Sequence, residues 1–96
     1  PLNADETARP MPLHIGAVYP NPATVGATLT VEYRNTSAAE VTLSLHDLLG
    51  RERSTATHSA SDGGLLHVST RDVPPGAYVL RLRSGFMSAE RLVLLR

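Results

Sequence analysis

The sequence predicts an all-β protein, a sandwich of six to eight short antiparallel strands. Three observations carry this. Apolar residues alternate with polar ones in several segments of five to eight residues. Stiff Pro- or Gly-containing corners separate those segments. No stretch shows the 3.6-residue periodicity of an amphipathic helix. A chain of 96 residues makes one domain, and surface scaling buries roughly 64% of its extended area. With 42% hydrophobic and 19% charged residues it has the composition of a folded protein.

Residues 1–12 are polar and proline-punctuated, without periodicity, and read as a linker or N-terminal arm. The domain starts at Leu13. Leu13, Ile15 and Ala17 alternate, and Tyr19-Pro20-Asn21-Pro22 then stops the strand as a rigid corner. Leu29, Val31 and Tyr33 make the next strand, followed by a polar turn over 34–39. Val41, Leu43 and Leu45 give the cleanest period of two. Asp47-Leu48-Leu49-Gly50-Arg51 turns the chain, with Gly50 placed for a positive φ. Residues 51–57 suit a polar edge strand, and 58–64 a flexible loop. Leu66 and Val68 resume a strand, and Asp72-Val73-Pro74-Pro75-Gly76 forms the second stiff corner. Tyr78, Leu80 and Leu82 alternate up to a two-residue turn at Ser84-Gly85. The last strand runs to Arg96. Its apolar run, Leu92 to Leu95, predicts burial on both faces or a position between partners.

The charge balance excludes several classes. Nine basic and nine acidic side chains cancel, and every basic one is Arg. A net charge of zero gives no long-range attraction to a polyanion, so nucleic acid is not an expected partner. No apolar run reaches the roughly 18 residues of a membrane helix, and no signal peptide is visible. The chain opens on Pro1 without Met and reads as an excised piece of a larger parent. Cysteine is absent, so packing alone holds the domain and no thiolate chemistry exists.

No catalytic residue, metal site or cofactor is assigned. His14, His46, His58 and His67 are scattered, and those in strands sit opposite apolar neighbours, facing solvent. Ser59, Ser61, His58 and Asp62 supply hydrolase residue types. They sit in a soft loop without the Gly-x-Ser-x-Gly elbow that preorganises a nucleophile. Asp47, Asp62 and Asp72 lack the alternating ladder of a calcium loop, and Asp47 and Asp72 suit turn amides instead. Tyr19 and Tyr78 match buried strand positions better than a sugar-stacking face. Arg81 and Arg83 share one strand face, with Arg91 and Arg96 nearby, and could dock an acidic partner.

Four blocks in order resemble the C-terminal sorting domains of the Bacteroidetes type IX secretion system. They are Val18-Tyr19-Pro20-Asn21-Pro22-Ala23, Asp47-Leu48-Leu49-Gly50-Arg51, Val73-Pro74-Pro75-Gly76-Ala77-Tyr78-Val79-Leu80-Arg81-Leu82, and Arg91-Leu92-Val93-Leu94-Leu95-Arg96. The likeness covers residues 13–96. Arg91 stands where the family usually has Lys, and Pro74 precedes Pro75 where Leu or Ser is more usual.

The resemblance implies an immunoglobulin-like sandwich of about seven strands. It implies a sorting signal that sends a larger N-terminal cargo through the outer-membrane type IX translocon. Partners would be the translocon, its shuttle components and a cell-surface sorting peptidase that removes the domain. The route would be periplasm, then cell surface or exterior. By the same resemblance, Tyr19, Pro20, Asn21, Pro22, Asp47, Gly50, Pro75, Gly76 and Tyr78 are structural motif positions. Asn21 would bond neighbouring backbone, and Tyr78 would anchor the core. Arg91, Leu92, Val93, Leu94, Leu95 and Arg96 would carry recognition, by adding an edge strand to a partner's sheet. Strand exchange of that segment would give a homodimer. The competing reading is a non-catalytic carbohydrate-binding or adhesive module, which the absence of Trp disfavours.

Overall fold

The computed structural model describes residues 13–35, 40–58 and 63–96. Seven strands form two antiparallel sheets: β1 (Leu13–Tyr19), β2 (Thr28–Asn35), β3 (Val41–Asp47), β4 (Glu52–His58), β5 (Gly63–Ser69), β6 (Gly76–Ser84) and β7 (Met87–Leu95). One sheet has the order β1-β2-β5 and the other β4-β3-β6-β7. The chain changes sheet between β2 and β3, β4 and β5, and β5 and β6, which locks the sheets together as an immunoglobulin-like sandwich. Among the described residues there is no helix.

Alternation decides which side chains go inside. Leu29, Val31 and Tyr33 of β2 meet Val41, Leu43 and Leu45 of β3 and Tyr78, Leu80 and Leu82 of β6 in one buried core. Each fully buried aliphatic side chain contributes about 1.5–3 kcal/mol. β1 packs against β7 at one margin, and β5 against β4 at the other. In β1 the period breaks. A bulge between Ile15 and Val18 shifts the register against β2, so Ala17 faces solvent and Val18 packs on the core.

Other boundaries also move. Ser84 pairs with Met87, so the hairpin turn is Gly85-Phe86 rather than Ser84-Gly85. Gly63 and Gly64 pair with Arg34 and Tyr33 inside β5, so the expected loop ends earlier. A Cβ on Gly63 would stand 2.6 Å from the Tyr33 carbonyl oxygen, a close approach only glycine permits. The expected arm over 1–12 and the loop residues Ser59, Ser61 and Asp62 lie outside the described residues, as does the His58 side chain.

Candidate functional site: the pole around the last strand

The four sequence blocks, far apart in the chain, meet at one end of the sandwich. In adjacent strands Asp47 pairs with Tyr78, and Tyr78 with Val93. His46, Val79 and Leu92 form the next row. The segment after Pro20 then lies along the outer edge of β7. The Ala23 N–H donates to Leu94 O (2.8 Å), the Arg96 N–H to Ala23 O (2.9 Å), and the Val25 N–H to Arg96 O (3.1 Å). Asn21 completes the row with its side chain. Its Nδ2 donates to Leu92 O and its Oδ1 accepts from the Leu94 N–H, each at 3.1 Å. Asn21 therefore bonds not its neighbours but a strand more than seventy residues away. Its primary amide offers the same donor–acceptor pair as a peptide group. The Tyr19–Pro20 and Asn21–Pro22 peptide bonds are both cis.

Arg91 has an equally local expectation and an equally distant partner. It pairs with Leu80, whose side chain is buried, so it leaves β7 on the core side rather than with Arg81. Its guanidinium reaches over the margin to β1. Nη1 donates to Gly16 O (3.0 Å) and Nη2 to Ile15 O (2.7 Å), at the bulge. One planar fork thus holds two successive carbonyls of β1, the edge strand of the other sheet. Arg81 and Arg83 do share the outer face, but the Arg81 Nε lies 2.7 Å from Glu90 Oε2. The four arginines do not make one basic stripe.

The second block is a turn built around Asp47. Its Oδ1 accepts from the Leu49 and Arg51 N–H groups, each at 2.9 Å. Its Oδ2 accepts from Arg51 Nε at 2.8 Å. The Arg51 backbone bond above all, then its guanidinium and the Leu49 amide, outweigh desolvation and hold the carboxyl below its usual value near 3.8. Gly50 takes φ 88°, the left-handed conformation the turn needs. The third block buries Tyr78 and ties its hydroxyl to Pro74 O at 2.6 Å.

Two burial expectations fail here. Leu92 and Leu94 are 63% and 44% exposed, so the apolar run faces the core only through Val93 and Leu95. Tyr19 is 43% exposed rather than buried, because the bulge shifts the phase of β1 and pairs Tyr19 with Thr30 on the outer face. Leu48 and Leu49, at the turn tip of this same pole, are also exposed. Strand addition along 92–96 would require the 21–25 segment to leave, since it occupies that edge.

Among the described residues one serine and one histidine stand together. Ser44 Oγ lies 2.8 Å from His46 Nε2, and His46 Nδ1 lies 3.4 Å from Gly50 O. The i, i+2 spacing that puts both on one strand face was a readable signal. Ser44 is only 5% exposed within the four-stranded sheet, and the pair braces the turn through Gly50 O. A shallow groove on the other sheet is lined by His14, Gly16, Glu32, Tyr33, Arg34 and Gly63–Leu65, and Tyr33, only 4% exposed, presents no ring face for stacking. Among the described residues no three His, Cys, Asp or Glu side chains stand close enough to share a metal ion.

The comparisons agree with what converges at this pole. A search of curated proteins gives no match. A family model described as the secretion system C-terminal sorting domain matches residues 17–94, a span reaching into all four blocks. The chain belongs to this family, the C-terminal sorting domains of type IX secretion.

Proposed function

We propose that this domain is the address by which a larger cargo is passed through the outer-membrane type IX translocon. As a sorting domain it works with the type IX machinery, joined to a cargo protein, and leads to export to the cell surface or beyond. In the finer reading, the folded domain is engaged in the periplasm by shuttle components of the translocon. A surface peptidase then cuts it from the cargo on the N-terminal side of the sandwich. The domain itself performs no chemistry and is ligand and substrate in turn.

The observation that carries the reading is the convergence of all four blocks on one pole. Asn21 and Tyr78 flank β7 and hold it in a fixed position there, with Asp47 one strand further in and the Leu92 and Leu94 side chains outward. A rigid, partly apolar patch of this kind gives a partner contact area at low ordering cost.

The test fuses residues 1–96 behind a signal peptide and a fluorescent reporter in a type IX-competent bacterium. Reporter at the surface and in the medium is compared with a translocon-null strain. Export that disappears in the null strain is the expected result. Replacing Leu92 and Leu94 together by Ser should reduce export while the domain stays folded by circular dichroism. Periplasmic retention in both strains, with a known sorting domain exporting the same reporter, would end the reading.

A further inference from the structure

β7 closes its sheet, and an edge strand offers a row of unpaired backbone groups to any other strand. The stretch Leu92-Val93-Leu94-Leu95 makes that edge hazardous, being apolar, uncharged and free of proline. Antiparallel geometry turns the N–H and C=O of alternate residues away from β6. From the Leu92 carbonyl onward these outward groups are taken. Asn21 holds Leu92 O and Leu94 N, Ala23 holds Leu94 O and Arg96 N, and Val25 holds Arg96 O. By the same alternation Ser88 and Glu90 also point outward. Among the described residues no backbone segment pairs with them. The cover therefore coincides with the apolar half of the strand and stops where the polar half begins.

The covering segment is itself a poor template. Pro22 has no N–H to donate, and the Thr24 carbonyl already accepts from the Ala27 N–H at 3.0 Å. Arg91 and Arg96 bracket the apolar run, charges of the kind that flank aggregation-prone strands. A second strand arriving here meets neither the edge of β7 nor a fresh edge in its place.

We propose that residues 20–25 are an edge guard, a strap that keeps a second copy of this chain from pairing with its last strand. Asn21 is the residue on which the guard turns, because its side chain substitutes for a peptide group where Pro20 and Pro22 cannot donate. The guard acts against the homodimer by strand exchange that the apolar terminus would otherwise favour. It keeps copies of a sorted protein apart while their apolar strands are near one another.

The test uses the purified 96-residue chain and needs no export assay, so loss of the sorting reading would leave it intact. Three readouts are taken on wild type and Asn21→Ala: amide exchange at Leu94, sedimentation against concentration, and binding of a labelled synthetic peptide spanning residues 88–96. Wild type should protect Leu94 and Arg96 well above Glu90, sediment as a monomer and ignore the peptide. Asn21→Ala should lose about five- to tenfold of the Leu94 protection, and should dimerise with rising concentration or bind the peptide. If Asn21→Ala does not fold, Asn21→Asp takes its place, since it keeps the acceptor for Leu94 and loses the donor to Leu92. A folded variant that stays monomeric and ignores the peptide would overturn the proposal. So would a wild-type Leu94 amide that exchanges as fast as that of Glu90.

Discussion

Replacing Arg91 by Ala removes two hydrogen bonds that join the last strand to the first. The guanidinium stands 3.0 Å from Gly16 O and 2.7 Å from Ile15 O, with the Ile15 contact partly buried and the Gly16 contact exposed. Hydrogen bonds from a charged donor contribute about 1.5–3 kcal/mol each when shielded. Water can replace the exposed one, which brings the expected loss to about 1–2 kcal/mol. That is a sizeable share of the roughly 5–15 kcal/mol that holds a small domain together. Urea unfolding with a slope of about 1 kcal/mol/M should move its midpoint down by about 1–2 M. Arg91→Lys supplies a point charge in place of a fork, so it should recover about half of the loss. A midpoint for Arg91→Ala equal to that of wild type would refute the reasoning. It would mean that the guanidinium is solvated and that the two carbonyls bond to water.

Three further outcomes can be checked on the same protein. The Asp47 carboxyl is held below its ordinary value, so the folded state binds fewer protons than the unfolded chain near that value. Its contribution should be fully present above about pH 4 and lost as pH falls through the lowered value. Asp47→Asn should flatten that part of a stability-against-pH curve, and an unchanged curve would remove Asp47 as the cause. Tyr78→Phe loses the 2.6 Å bond to Pro74 O and should cost about 0.5–1.5 kcal/mol in denaturant titration, with far-ultraviolet dichroism unchanged. Gly63→Ala places a Cβ 2.6 Å from the Tyr33 carbonyl oxygen at φ 153° and should cost about 1–3 kcal/mol. Gly85→Ala, with open space around it, should cost about 1 kcal/mol or less, and equal costs would argue against the clash.

Much of the fold was legible because a half-buried strand writes itself into the chain at period two. The alternation in β2, β3 and β6 marked the residues that fill the core. The Asp47–Gly50 turn was also readable, since an Asp that bonds amides two and four residues on needs only local chain. β1 was misread after Ile15 because a bulge inserts a residue without changing the pattern of types around it. The Leu92–Leu95 run left burial on both faces or a place between partners open, because an apolar side chain looks the same in sequence whether it faces a core or a partner; exposure of Leu92 and Leu94 removes the first.

By itself the sequence determined the class of fold, the approximate place of the strands and the family, since each rests on residues near one another or on blocks in fixed order. Only the tertiary structure decided what the blocks do to one another. The Asn21 amide meets Leu92 and Leu94, and the Arg91 fork meets Ile15 and Gly16, across separations of 71 to 76 residues. No local propensity encodes such a contact. It follows from the stacking of β1 on β7, which the packing of the whole core sets.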